Sequence, residues 1–315
     1  ERDLNGQWQQ DQKIVPSNRM SNDRFGFTVD IEGDIAIVGA PNKVGSMGNG
    51  IGAVYLFERN MQGVWSEIDI LTPGDGEAFD NFGAAVVLEG DTALISSPFA
   101  DPNTIRDAGA VYVANAGGTG NWVITQKLIA SDPSMSANFG SSIEIKNGVA
   151  VVGAWRTKNA TGGTNDAEAG AAYTFDFNPN TSNWEFTQKL LPDTADWIGG
   201  DLFGGSITMI RNYLFIAADE DDNDSNNMDP IFDAGAVHIF QKDGQGMWSE
   251  IHKIVASDRK EEAFFGQRVS VSGNRLVVGA AGEAGDAFFP GEIDASGAIY
   301  IFEEDQSGQW IEAQK

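Results

Sequence analysis

Three short patterns recur in a fixed order along the chain, and they limit its fold more than any other feature. Tryptophan recurs as Trp8, Trp65, Trp122, Trp184, Trp248 and Trp310, at spacings of 57, 57, 62, 64 and 62 residues. Phe-Gly recurs at Phe25-Gly26, Phe82-Gly83, Phe139-Gly140, Phe203-Gly204 and Phe265-Gly266. A Gly-Ala step opens an apolar run at Gly52, Gly109, Gly170, Gly235 and Gly297. A chain of 315 residues exceeds the ~250–300 residues over which one hydrophobic core keeps growing. A repeat removes that difficulty, because each unit packs only on its neighbours.

Each unit reads as four short strands. In the first, strand a is FGFTVDIEG, strand b DIAIVGA, strand c GAVYLFE and strand d VWSEIDIL. Branched and aromatic residues alternate with polar ones, the pattern of half-buried strands. Tight turns such as Glu32-Gly33-Asp34 and Lys146-Asn147-Gly148 suit an a–b hairpin. No helical period stands out. The spacing therefore predicts an all-β chain: a β-propeller of four-stranded antiparallel blades, with five repeats visible. The expected units are residues 15–71, 72–129, 130–191, 192–254 and 255–315, in one propeller domain or propeller fragment, with residues 1–14 as an extra outer strand.

FGFTVDIEGDIAIVGAP, then GAVYLFER, then W-x-E, resembles the FG-GAP repeat of the integrin α-subunit propeller. Residues 121–176 and 248–302 are closer still to its bacterial type. The resemblance implies a propeller, usually seven-bladed, on an extracellular or cell-surface protein, and implies no reaction. Integrin-type repeats often carry a calcium loop between strands a and b. None of the five a–b turns here is long enough to hold one.

Five a-b-c sets are accompanied by six d strands, counting residues 5–14 and 307–315. Two readings stay open. The chain is part of a larger ring, or it is a five-bladed ring with one redundant terminal strand available to a partner. The chain opens on Glu1 rather than Met, as expected of a processed or excised piece.

Acidic residues number 46 against 20 basic ones, for a net charge of −26. Such a surface repels nucleic acid and anionic membranes, and no apolar run is long enough to insert in a bilayer. Cysteine is absent and histidine occurs twice, which excludes disulfides, thiolate chemistry and most His-rich metal centres. In an antiparallel four-stranded blade the b–c and d–a loops leave from one face. On the expected boundaries those loops hold 26 of the 46 acids and 8 basic residues, so about −18 of the charge falls on that face.

The densest acidic stretch runs from Asp219 to Asp229 in the fourth b–c loop. Calcium takes six to eight oxygens from a loop that can curl. Asp219, Asp221, Asn223, Ser225, Asn227 and Asp229 are the candidate ligands of a Ca2+ site, although the loop lacks the glycine that eases the turn. Loop aromatics Trp155, Trp197, Phe232, Phe288 and Phe289 are candidate contacts for a protein or glycan partner. The repeated Trp and Phe read as packing, and His238 and His252 as substitutions within strands. The axis end of strand a looks small and repetitive, as in Ala84, Ser141 and Gly205. The expectation is thus a non-enzymatic extracellular binding or adhesion module, without an organic cofactor. The alternatives are a structural assembly component that self-associates through its terminal strands and, third, a propeller hydrolase or lyase with a carboxylate near the axis.

Overall fold

The computed structural model describes residues 5–44, 50–118, 120–158, 168–192, 200–283 and 296–315. It contains five antiparallel four-stranded sheets, each with its strands in sequence order. Blade one comprises β1 (Thr28–Glu32), β2 (Ile35–Ala40), β3 (Ala53–Arg59) and β4 (Trp65–Leu71). Blade two comprises β5 (Val86–Glu89), β6 (Thr92–Ser97), β7 (Ala110–Ala116) and β8 (Trp122–Leu128). Blade three comprises β9 (Ile143–Lys146), β10 (Val149–Ala154), β11 (Ala171–Asn178) and β12 (Asn183–Leu190). Blade four comprises β13 (Ile207–Ile210), β14 (Tyr213–Ala218), β15 (Ala236–Lys242) and β16 (Trp248–Ile254). Blade five comprises β17 (Phe265–Ser272), β18 (Arg275–Ala280), β19 (Ala298–Glu304) and β20 (Trp310–Gln314).

The inner strands stand side by side in the order β1, β5, β9, β13, β17. Apolar residues of adjacent blades meet at each seam. Ile37, Val54 and Leu56 of blade one cluster with Val86, Leu88 and Ile95 of blade two. This is the layered packing of twisted sheets around an axis, and it provides several cores in place of one.

The Phe-Gly pair is a strap across the seam, and in the first four blades it stands ahead of strand a. Gly52 and Gly170 bridge in parallel to Phe82 and Phe203 at the start of the next blade. The phenylalanine ring turns into its own blade. Phe82 meets Tyr112, Phe139 meets Tyr173 and Phe265 meets Tyr300 edge to face, with centroids 5.3–5.4 Å apart. The glycine before strand c has no alternative. Gly109 has φ +86°, and a Cβ there would overlap the Phe139 carbonyl oxygen. An L-residue would meet both the left-handed strain and a rigid backbone.

A second tie joins the outer strands. The Gln126 amide donates to the Trp184 carbonyl at 2.7 Å and accepts from the Trp184 N–H at 2.8 Å. Gln188 makes the same pair with Trp248 at 2.8 and 2.9 Å. Asp69 accepts from the Trp122 N–H at 2.8 Å. Gln12 repeats the two-way pair with Trp65 at 2.9 Å in each direction. Residues 8–14 therefore stand against blade one as a preceding blade's strand d would stand, and they do not complete blade five, whose own β20 is present.

Gly109→Ala is expected to cost more than about 2 kcal/mol of stability. Gly297→Ala, at the same repeat position but with its nearest atom at 3.5 Å from the added Cβ, should cost about 1 kcal/mol. Urea unfolding of both variants beside the parent measures the difference.

Candidate functional site

The repeat aligns five residues at each level of the axis. After Phe-Gly come Phe27, Ala84, Ser141, Gly205 and Gln267, and then Thr28, Ala85, Ser142, Ser206 and Arg268. Where the first unit has Pro41 at the end of strand b, the others have Pro98, Trp155, Asp219 and Ala281. Residues from all five blades line one axial cavity of about 860 Å³, among them Phe27, Phe99, Trp155, Asn138, Asp219 and Arg268. That volume suits a small molecule.

Several of these columns break their own repeat in this cavity. Asp219 replaces a proline of units one and two, and its carboxyl lies beside the bare backbone of Gly205. Burial raises the Asp219 pKa above the ordinary carboxylate value, and Arg268 opposes that rise. Arg268 replaces the small residue of the other units. It donates to the Gln267 carbonyl at 2.6 Å and forms no ion pair among the described residues. Asn138 is buried and fixed by a bond to the Pro98 carbonyl at 3.1 Å. The Ser141 hydroxyl is buried and has no hydrogen-bond partner among the described residues. Trp155 packs under the Arg156 guanidinium, which is itself held by Glu168 through bonds of 2.7 and 2.8 Å. Next to Asp219, burial and the charges of Asp233 and Asp219 push Glu220 up to about 7. Deeper on the inner strand β9, burial pushes Glu144 up to about 7 as well.

The acidic loop does not gather into a cation cage. Asp219 points to the axis, whereas Asp221 is buried on the other side, 2.8 Å from the Lys253 ammonium and 3.4 Å from the His238 ring. Asp224 caps the N–H groups of Asn226 and Met228, each at 2.9 Å. Arg259 donates to the Asp222 and Asp229 carbonyls, each at 2.6 Å. The Asn223 N–H donates to Asp221 at 2.7 Å. Ser225 and Asn227 line a separate groove of about 660 Å³ on the outer rim, beside Glu250 and Lys253. Among the described residues, no group of three or more acidic or histidine side chains stands at metal-binding spacing. Of the aromatics, Trp155 lines the axial cavity, Phe232 is exposed elsewhere on the loops, and Trp197, Phe288 and Phe289 lie outside the described residues.

His238 is a structural substitution with an ionic consequence. Elsewhere a strand-c tyrosine bonds a d–a loop side chain, as Tyr112 does to Asp75 at 2.9 Å and Tyr173 to Asp132 at 2.8 Å. His238 is fully buried and turns instead to Glu250 at 2.7 Å and to Asp221. Burial alone would lower its pKa, but the two carboxylates outweigh it and raise it to about 9.

A model of the FG-GAP repeat matches residues 8–57, 65–114, 122–175 and 248–302. The chain belongs to the FG-GAP repeat family. The a-b-c part of the fourth unit, which carries Asp219 and His238, is the one the repeat model leaves unmatched. No curated protein sequence matches the chain. Among solved structures, a protein from Lactobacillus plantarum superposes with a TM-score of 0.55 at 12% identity, over 89% of this chain and 67% of that one. A candidate 6-phosphogluconolactonase from Bacteroides fragilis gives a TM-score of 0.44 at 12% identity, over 92% of this chain and 83% of that one. The first likeness shows the propeller architecture, and the second carries no substrate across.

The expectation of a non-enzymatic adhesion or assembly module is corrected here. The premise behind that expectation fails, because the axis end holds Asp219, Arg268 and Asn138 beside its small repeated residues.

The His238 network predicts a pH signature. A histidine raised to about 9 contributes stability that is complete below the unfolded value of about 6.5 and is lost as pH rises through 9. His238→Gln should therefore flatten the parent's loss of about 1–3 kcal/mol between pH 6.5 and 9.5, as read from urea midpoints across that range.

Proposed function

We propose that the axial mouth is the active site of a hydrolase acting on a hydroxyl-rich ring compound that carries a carboxylate or phosphate. The observation that carries this reading is the convergence of non-repeating Asp219 and Arg268 in one cavity of about 860 Å³ with Phe99 and Trp155. Aromatic faces stack on the apolar faces of sugar-like rings. Arg268 offers a forked donor for an oxyanion, in a protein whose net charge is −26, so the attraction is local to the mouth. Burial raises the Asp219 pKa, which suits a carboxyl that holds and returns a proton during bond cleavage. Arg268 then has a second role, balancing negative charge as it develops on the attacked centre. The buried Asn138, fixed at Pro98, supplies a rigid polar wall.

The extracellular or cell-surface setting is part of this proposal, supported by the family resemblance.

The test is a hydrolysis assay over glycosides, lactones and phosphate esters of sugar acids. On the substrate that turns over, Asp219→Asn should lower kcat by about 100-fold or more with KM little changed. Arg268→Gln should raise KM by about tenfold or more. Parent-like kinetics in both variants would sink the reading, and so would calorimetry showing no ligand binding across the panel.

A further inference from the structure

The side chains that depart from the repeat in the axial cavity are sorted by blade. Around the axis the blades follow one another in chain order. Blade two contributes Phe99 and blade three Trp155, beside Phe27 of blade one. Phe99 stands where the other units have Asn42, Arg156, Glu220 and Gly282, and it is 40% exposed. Trp155 is half-buried where the other units have Pro41, Pro98, Asp219 and Ala281. Blades four and five contribute Asp219 and Arg268 instead. Arg156 also lines the cavity, but its Nε and one Nη donate to Glu168, so its charge is already balanced. The mouth therefore has an aromatic half and an ionic half, with Asp219 at the boundary next to blade three.

Each half selects its own chemistry. The aromatic half suits an uncharged sugar, whose apolar face lies on a ring, because an added anion there would meet an arginine already paired to a carboxylate. The Ser141 hydroxyl is buried in the cavity wall of blade three without a hydrogen-bond partner among the described residues. A buried hydroxyl left unpaired is costly, and a sugar hydroxyl supplies the missing bond. In the ionic half, Arg268 is in no ion pair among the described residues and lies within the field of Asp219. One guanidinium fork beside Asp219 and Glu220 matches a carboxylate, of charge −1, better than a phosphate group of about −1.5 to −2.

We infer that the ligand of the axial mouth joins a uronic acid to one or more neutral sugars, with the uronate carboxylate on Arg268, the neutral rings across Trp155 and Phe99, and the linking oxygen beside Asp219. The cavity of about 860 Å³ lies high in the ~300–1,000 Å³ range of small-molecule pockets and has room for more than one ring. The place of the linking oxygen rests on the hydrolase reading. In that reaction Asp219 gives its proton to the linking oxygen as the bond from that oxygen to the anomeric carbon breaks. Water forms the new bond to that carbon, and the proton it loses restores the Asp219 carboxyl.

The test is calorimetric titration of the full chain carrying Asp219→Asn, which keeps the probes intact. The probes are glucuronic acid, xylotriose, trigalacturonic acid and xylotriose bearing one glucuronic acid. The mixed conjugate should bind at least tenfold more tightly than each of the other three. Adding Phe99→Ala should weaken the conjugate at least fivefold and leave glucuronic acid unchanged, and adding Arg268→Gln should bring the conjugate down to the xylotriose value. A conjugate that binds no more tightly than glucuronic acid or trigalacturonic acid overturns the inference. Chromatography of products from the parent separates the two readings. Turnover of a lactone or phosphate ester with no preference for the conjugate keeps the hydrolase and sinks this ligand class. Tight binding of a conjugate that the parent leaves whole supports the ligand class and sinks the hydrolase.

Discussion

The close approach of backbones at each seam is the constraint on which the rest of the structure depends. A glycine before strand c admits the Phe-Gly strap of the next blade to a distance that no side chain allows, as at Gly52 against Phe82. That approach fixes both the rotation from blade to blade and the depth at which the phenylalanine enters. Once Phe82 or Phe139 is set edge-on to its strand-c tyrosine, the inner strand follows with its small residues at the axis. The axial cavity is thus a by-product of seam geometry. Its width is set by backbone contacts distant from the residues that line it, which leaves the columns at its mouth free to vary.

Polar ties at the rim complement this apolar seam. The Gln126–Trp184 and Gln188–Trp248 pairs use both ends of a primary amide on one backbone unit, so they fix register as well as distance. On the inner side, Thr28 and Ser142 donate to the carbonyls of Gly83 and Gly204 at 3.0 and 2.7 Å, and Asp30 accepts from the Leu88 N–H at 2.7 Å. Each tie satisfies a backbone group that a four-stranded blade would otherwise leave open at its edge. Ion pairs between neighbouring blades add to these ties, as Lys242 with Asp176 at 2.9 Å and Arg211 with Glu304.

The fold was legible in the sequence because the same packing problem is solved five times. Trp122, Phe139 and Gly170 are recognisable by their recurrence, and their burial follows from it. The site was less legible for the same reason. Reading columns for what repeats makes Ala84, Ser141 and Gly205 the natural description of the axis, and Arg268 then looks like noise. The usable signal was the opposite one, departure from the column. In the sequence Asp219 stands out only as part of an acidic run, whose other members suggest a shared cation. Alternation along the loop and the lysine at Lys253 divide that run, so Asp219 and Asp221 serve opposite sides of one loop. Sequence order cannot show that division, because the Lys253 ammonium arrives from strand d.

The fourth unit shows how one change in a repeat forces others. Replacing the strand-c tyrosine by His238 removes the hydroxyl that other units extend to the d–a loop. A buried ring with two nitrogens needs partners on both sides, and Glu250 and Asp221 provide them. Two carboxylates, Asp221 buried and Glu250 half-buried, then require more positive charge than one imidazolium supplies, and Lys253 completes the balance at 2.8 Å from Asp221. Asp221 in turn anchors the start of the acidic loop by accepting from the Asn223 N–H. With the loop tied down at Asp221 and by Arg259 at Asp222 and Asp229, Asp219 is left at a fixed place at the end of strand b. The substitution at His238 and the carboxyl in the axial mouth are therefore one mechanical unit. The buried ion network holds the loop, and the loop holds the carboxyl in the axial mouth.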